Sequence, residues 1–410
     1  MASAINRSSA AVFWSAAGVI AATYVGFPAV LLLRGRIAPR RIAANDLVVN
    51  LTVVIAAFNE EGSIGRKLDN LLAADWPHDQ LQVVVASDGS TDGTNRVVGA
   101  YEDRGVRLIA LPRVGKAAAL NAALDVATGD VVVFSDANSM FDPDALRAIV
   151  RPFADPGVGG VAGDQRYQRG GPSGSIAQGE RRYWDLDRMI KRAESAAGNV
   201  VSATGAIYAV RRELIPPVPD GVTDDFITST AVVAAGQRLV FAEDAAAWEP
   251  VAPSGGAEYG RKVRVITRGL RAVYIRRALL DPRRTGFYAV QLAWHKLFRR
   301  LAVFPILALA VSSPLLAGSG RIYRMAIAAQ GLFYGLAAIG FATRGHPMSR
   351  SRIVALPAYF CLVNVAALHA ALNCVRRQRI DRWEPRRSPI EDLGDRSVSG
   401  DDRESRPDTA

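Results

Sequence analysis

Three junctions in the first third of the chain place acidic or amide side chains directly after an apolar run. They are Phe58-Asn59-Glu60, Ser87-Asp88-Gly89-Ser90 and Ser135-Asp136-Ala137-Asn138. A further acidic pair, Asp224-Asp225, follows Thr223 at the start of a helical pattern. Carboxylates and amides so placed can hold a ribose or a base, ligate a hard divalent cation through oxygen, or take a proton from an attacking hydroxyl. The ordinary structural reading is that Asp-Gly and Asn-Glu make turns and caps, and that Asp suits a helix start. That reading suffices for one junction. Three in succession, each with an acidic residue, favour a binding site. Histidine or cysteine chemistry is excluded: His78, His295, His346 and His369 lie far apart, and Cys361 and Cys374 share one apolar stretch, so neither a zinc site nor a disulfide framework is available.

The elements that must position these residues follow from apolar patterning. Val48–Ala56 is an almost continuous apolar run, as a strand buried on both faces should be. Gly62–Ala74 carries Ile64, Leu68, Leu71 and Leu72 at helical spacing. Gln82–Ala86, Val106–Leu111 and Val131–Phe134 read as further strands, with Thr91–Asp103 and Lys116–Ala127 as helices between them. This alternation predicts an α/β fold with a mostly parallel sheet and helices on both faces. Ligands of such sheets bind beyond the carboxyl ends of the strands, where the acidic junctions fall. Tyr183–Ser202 reads as a long helix and its exit, Gly205–Arg211 as a strand, and Glu258–Arg277 as a basic helix with Arg261, Lys262, Arg264, Arg268 and Arg271. No Gly-x-Gly-x-x-Gly follows the first strand, which excludes a dinucleotide-binding enzyme. Ala56–Gly62 also lacks the Gly-rich loop that a sugar-phosphate nucleotidyltransferase would need.

Half of the 410 residues are hydrophobic and 22% are charged, and the two classes are segregated. Ala10–Leu33, Leu301–Gly318, Met325–Thr343 and Ile353–Val375 carry no charge. About 20 apolar residues cross a bilayer, so Leu301–Gly318 is marginal and the first and last are comfortable. The first is too long for a signal-peptide core and lacks a clean cleavage site, so it reads as an anchor. The formal charge of +11 comes mostly from Arg, and Arg34, Arg36, Arg40, Arg41, Arg299 and Arg300 cluster beside apolar segments. That is the positive-inside pattern, with the lipid bilayer and not nucleic acid as partner. It places the soluble domain in the cytoplasm and the chain as a multi-pass protein of the inner (plasma) membrane. The expected organisation is an anchor over 1–43, a soluble domain over 44–280, an interfacial amphipathic helix over 281–300, transmembrane helices over 301–376 and a disordered tail over 377–410. Three C-terminal crossings would put that tail outside, although it begins with Arg376, Arg377, Arg379 and Arg382. If Leu301–Gly318 does not cross, the tail returns inside; both arrangements stay open at this point.

The motifs Ala57–Glu60, Ser87–Thr94, Gly115–Asn121 and Phe134–Asn138, followed by Thr223–Asp225 and the basic stretch Arg261–Arg268, resemble the inverting GT-A glycosyltransferases of family 2, in the cellulose synthase and hyaluronan synthase-like branch. The likeness runs from about residue 48 to 275 and includes the flanking membrane helices. It implies a GT-A fold, Rossmann-like, with a nucleotide-sugar donor, a saccharide or lipid-linked acceptor and Mg2+ or Mn2+ as cofactor. It assigns Glu60, with Asn59 in the same motif, and Asp88 to the uracil and ribose of a UDP-type donor, and Lys116 to its phosphate side. Asp136 takes the donor and metal role, Asp225 that of general base, and Arg261, Lys262, Arg264 and Arg268 the pyrophosphate. Thr204, Gly205 and Asp224 fall on the acceptor side. Two departures matter. Asn138 stands where the family's Asp-x-Asp has its second Asp, which leaves a neutral oxygen beside Asp136 for the metal. Val265 stands where processive synthases carry a Trp, which favours transfer of one or few sugars. The implied function is a membrane-bound inverting glycosyltransferase of cell-envelope or exopolysaccharide synthesis. Its alternatives are a processive polysaccharide synthase and a non-catalytic scaffold that keeps the fold.

Overall fold

A computed structural model describes residues 2–167, 187–249, 255–343 and 351–378. Eight strands form one mixed sheet in the order β3-β2-β1-β4-β7-β6-β8-β5. Its first half is parallel: β1 (Leu51–Ala57) lies between β2 (Leu81–Asp88) and β4 (Val131–Asp136), with β3 (Val106–Leu111) outside β2. Every residue of β1 is buried, because alternate side chains enter different cores. Val53 and Ile55 pack with Ile64, Leu68 and Leu71 of the Glu61–Leu72 helix. Val54 and Ala56 pack with Ala119, Leu120 and Ala123 of the Lys116–Asp125 helix on the other face. In-register pairing of Leu51 with both Leu81 and Val131 brings the carboxyl ends of the three strands to one level. Asn59, Asp88 and Asp136 therefore meet at one edge.

The second half departs from a simple parallel sheet. β7 (Tyr208–Arg211) runs antiparallel to β4, β6 (Val158–Tyr167) antiparallel to β7, and β8 (Arg238–Glu249) parallel to β6. A short edge strand, β5 (Met140–Phe141), pairs antiparallel with β8. Patterning alone did not reveal β5, β6 or β8. β6 contains Gly159, Gly160 and Gly163, which depress strand propensity. Close approach explains Gly163: a Cβ there would lie 2.6 Å from Ile207 Cγ2 and 2.7 Å from the Ala245 carbonyl oxygen. The expected Thr91–Asp103 helix is shorter, an α-helix over Thr94–Gly99 and a 3₁₀ turn over Glu102–Arg104. Of the expected helix over Tyr183–Ser202, residues 187–197 are helical and 183–186 lie outside the described residues. Most of the tail lies outside them as well.

Among the described residues three helices are long and apolar enough to cross a membrane, Asn6–Ile37, Arg321–Ala342 and Arg352–Val375, or four if the bent pair Phe287–Phe298 and Val303–Leu315 counts as one span. The expected Leu301–Gly318 segment forms a helix of 13 residues, Val303–Leu315, bent by 59° from the Phe287–Phe298 helix. At 1.5 Å per residue it spans about 20 Å, short of a hydrocarbon core of about 30 Å. Leu31 and Phe27 of the N-terminal helix pack on Ala193 and Ala197, and Phe27 stacks on Trp294 at 5.7 Å. The basic helix, Gly255–Ile275, lies against Arg352–Val375, with Ile266 on Ala367 and Ala370. The α/β domain and the apolar helices are thus packed together through side chains of both.

Candidate active site

At the end of β2 the Asp88 carboxylate is fully buried and heavily bonded. Oδ1 accepts from the backbone N–H groups of Val114 and Gly115, both at 2.7 Å, and Oδ2 accepts from the Arg113 guanidinium. Arg113 also lies over the Phe58 ring, 3.4 Å from its centroid. Asp88 thereby fastens the loop that leads into the Lys116 helix. Gly89 makes this possible: its φ is +67°, and a Cβ would fall 2.7 Å from the Arg113 nitrogen. Gly89→Ala should cost about 1–2 kcal/mol for the left-handed backbone alone and displace the Arg113–Gly115 loop. The measurements are the thermal midpoint and nucleotide affinity of the detergent-solubilised variant, both expected to fall.

Asn59 has φ +52°, an uncommon conformation for a residue other than glycine. Its Oδ1 accepts from Thr91 N at 2.8 Å and its own N–H donates to Ser90 Oγ at 3.1 Å, joining the ends of β1 and β2. Glu60 is buried; its N–H donates to Thr94 Oγ1 at 2.7 Å and its carboxylate accepts from Ser63 Oγ. Asn59, Glu60 and Asp88 therefore tie the ends of β1 and β2 to the segments that follow them through bonds within the protein.

Lys116, the first residue of its helix, lines a small pocket together with Asp136, Gly205 and Asp224. Its Nζ donates to Asp136 Oδ1 at 3.0 Å and pairs with Asp224 Oδ2 at 3.1 Å. Burial disfavours the ammonium, but Asp136 and Asp224 outweigh it and raise its pKa above the ordinary lysine value. Gly205 packs on the same carboxylate, where a Cβ would approach Asp136 Oδ2 to 2.9 Å. The turn that carries Thr204 and Gly205 is fixed from both sides: Ser135 Oγ donates to the Ala206 carbonyl at 3.1 Å, and Ala203 N donates to Ser229 Oγ at 3.1 Å. The Thr204 hydroxyl is buried and meets no partner among the described residues. Asp225 follows Asp224 at the start of the Asp224–Ala234 helix, and its Oδ1 accepts from its neighbour's Phe226 N–H at 2.8 Å. Burial and the adjacent Asp224 raise its pKa to about 6, against the opposing pull of Lys296 and Lys116. A carboxylate so tuned is a competent proton acceptor near neutral pH.

Asp136, Lys116, Gly205 and Asp224 are thus brought into contact from four separate elements. Asn138 is exposed, two residues beyond Asp136. Among the described residues no group of three or more His, Cys, Asp or Glu side chains could hold a metal alone. A carboxylate on half-buried Asp136 and an amide oxygen on exposed Asn138, carried by one turn, fit a hard cation that draws its remaining oxygens from a bound ligand. The basic helix contributes less directly. Arg261 donates to the buried Glu258 carboxylate at 2.7 and 3.0 Å, and Lys262 pairs with it at 3.2 Å; Arg264 and Arg268 lie further along the same helix. Sequence reasoning missed Arg113, Lys67 and Glu249. Arg113 could have been found by its place just before Gly115-Lys116. Lys67 and Glu249 reach the site only through tertiary contacts with Ser139.

Comparison with known proteins supplies the context. Residues 52–216 match the family described as Glycosyl transferase family 2. Poly-beta-1,6-N-acetyl-D-glucosamine synthase of Staphylococcus aureus (strain MSSA476) is 27% identical over 227 residues, 53% of this chain and 54% of that protein. The synthase of the same description from Staphylococcus epidermidis is 24% identical over 225 residues, with the same shares, 53% and 54%. The chain spans about half the length of these curated relatives. Among solved structures, the mannosyltransferase PcManGT from Pyrobaculum calidifontis, in complex with GDP-Man and Mn2+, superposes with a TM-score of 0.68 at 25% identity, covering 90% of this chain and 100% of that one. The mixed sheet with helices around it is the GT-A architecture, joined here to apolar helices.

Proposed function

We propose that this chain, whose residues 52–216 match Glycosyl transferase family 2, is a glycosyltransferase that moves a sugar from a nucleotide-sugar donor to a saccharide or lipid-linked acceptor at a membrane, with inversion at the reacting carbon. The observation that carries this reading is the Lys116 ammonium held between Asp136 and Asp224, one residue from a carboxylate with its pKa near 6. Lys116 is placed to meet the donor phosphates and to offset negative charge that grows on the departing diphosphate. Asp136 and Asn138 are the residues that would hold Mg2+ or Mn2+, which supplies further neutralisation of that charge when bound. Asp225 accepts the proton of the attacking acceptor hydroxyl, and Thr204, Gly205 and Asp224 line the acceptor side. Asp88 and Arg113 shape the nucleoside end together with Asn59 and Glu60. Arg261, Lys262, Arg264 and Arg268 supply positive charge on the diphosphate side.

The first donors to test are UDP-sugars, as the strand-end motifs suggest, and GDP-mannose, because the archaeal neighbour was solved with GDP-Man. The relatives make a polymer by their description, which supports a role in polysaccharide synthesis. Val265, in place of the Trp of processive synthases, favours short products. The decisive experiment is turnover of a panel of UDP- and GDP-sugars by the full chain in detergent with Mn2+ or Mg2+, followed by product sizing. Turnover of one donor with inverted product supports the proposal; no turnover of any donor would favour a scaffold that has kept the fold. The arginines after the first apolar helix, Arg34, Arg36, Arg40 and Arg41, against Arg7 before it, support a catalytic domain on the cytoplasmic face of the inner membrane. Nucleotide sugars are available there.

A further inference from the structure

Two ionisable groups beneath Asp136 have no part in the chemistry above. Lys67 lies on the Glu61–Leu72 helix and is fully buried, although lysine is almost never fully buried without a partner. Its Nζ donates to the Ser139 carbonyl at 2.5 Å and sits 3.4 Å from the centroid of the Phe141 ring. One helical turn on, Asn70 bonds the backbone of Phe141 in both directions: Nδ2 donates to its carbonyl at 2.9 Å and Oδ1 accepts from its N–H at 2.8 Å. Positions three apart share a helix face, so this helix grips residues 139–141 at two points. From the opposite side, Ser139 Oγ donates to Glu249 Oε1, and Gln165 Nε2 donates to Glu249 Oε2 at 2.6 Å. β5 and β8 continue the clasp by pairing Met140 with Trp248. The turn that carries Asp136 and Asn138 ends at Ser139, whose N–H donates to the Asp136 carbonyl at 3.2 Å.

We infer that Lys67 is a positioning residue for metal-dependent donor binding: with Glu249 it clamps Ser139 from both sides and so fixes the Asp136–Asn138 turn. The inference rests on the assignment of that turn to the donor and its cation. A purely structural lysine here would be a poor choice, since a buried ammonium costs several kcal/mol to desolvate and an apolar side chain of similar volume could fill the same space. Its place beside the turn is explained by the one thing methionine cannot do, which is to donate a hydrogen bond to the Ser139 carbonyl.

The test compares the full chain with Lys67→Met, Lys67→Arg and Glu249→Gln in detergent, using UDP and GDP as probes with Mn2+ or with EDTA. Partners that orient metal ligands typically contribute about 10- to 100-fold in metal affinity. Lys67→Met is therefore expected to lower nucleotide affinity by about 10-fold or more with Mn2+ and to leave affinity in EDTA unchanged. Lys67→Arg should recover part of the loss. Hydrogen exchange of the peptide spanning 136–141 should rise in Lys67→Met without nucleotide, while peptides of β1 and β2 stay protected. Glu249→Gln keeps one oxygen to accept from the Gln165 amide but puts an NH2 donor where the carboxylate accepted from Ser139 Oγ, and it serves where Lys67→Met fails to fold; it should show the same Mn2+-selective loss, to a smaller degree. Equal losses with Mn2+ and with EDTA, or unchanged exchange at 136–141, would overturn the inference. A wild-type chain that binds nucleotide equally well with Mn2+ and EDTA would overturn the metal assignment itself, and with it the functional half of the clamp.

Discussion

Asp225→Asn should lower sugar transfer by about 10²- to 10⁴-fold, the usual contribution of a general base, while leaving nucleotide affinity within about twofold, a change of less than 0.5 kcal/mol. The substitution keeps the side chain's size and an oxygen to accept the Phe226 N–H bond, and removes only the capacity to take a proton. The wild type carries its own control. With the Asp225 pKa at about 6, kcat/KM should fall as the pH drops through that value, because the protonated carboxyl cannot act as base. In the Asn variant that acidic limb should vanish. Stability should move the other way. A carboxyl whose folded pKa lies above its unfolded value binds a proton more tightly when folded, so its favourable contribution is present below about pH 4 and is lost as pH rises towards 6. At neutral pH the buried charge therefore opposes folding, and Asp225→Asn should melt at the same temperature as wild type or higher. A variant both inactive and less stable would point to a structural carboxylate, and a variant with near-normal turnover would remove Asp225 from the mechanism.

Residue type alone carried the parallel half of the sheet. β1, β2 and β4 are buried on both faces, so Val and Ile can occupy consecutive positions and the run is visible without any partner. β6 and β8 carry no such signature. Where β6 approaches Ile207 and Ala245 closely the structure needs Gly163, and runs of small residues resemble helix or loop as much as strand. The same division applies to the site. Asp88, Asp136 and Asp225 stand at strand and helix ends, where spacing along the chain marks them, and Lys116 is assigned through the family resemblance. Lys67 is a basic residue on an amphipathic helix and reads as solvent-facing until the helix is docked on residues 139–141. Glu249 is the last residue of a strand whose existence was not evident. Asp88 teaches a related lesson: its position predicted a nucleoside contact, and the structure commits both carboxylate oxygens to the Arg113–Gly115 loop. The shortened Val303–Leu315 helix has a local cause, a bend after Phe298 and Pro314 near its end.

Asp136→Ala should remove the metal dependence of donor binding. The wild type is expected to bind nucleotide more tightly with Mn2+ than with EDTA, because Asn138 is neutral and Asp136 is the one carboxylate on the turn available to a hard cation. Loss of a charged contact of up to about 3 kcal/mol corresponds to roughly 10²-fold in affinity, so the Mn2+ and EDTA affinities of the variant should converge. The substitution also frees Lys116 from one of its two carboxylates, leaving Asp224 at 3.1 Å. That change acts in the opposite direction on the diphosphate, since an ammonium released from Asp136 is a better partner for phosphate. EDTA affinity should therefore hold or rise slightly, and a fall in Mn2+ affinity cannot be attributed to general damage. Asn138→Asp is the complementary change: it restores the second carboxylate and should tighten Mn2+-dependent binding, with no gain in EDTA. A calorimetric titration of both variants against UDP and GDP checks the pair together. If Asp136→Ala kept a wild-type ratio of Mn2+ to EDTA affinity, the cation would have to be held elsewhere, and the turn that Lys67 and Glu249 clamp would serve the sugar or the acceptor instead.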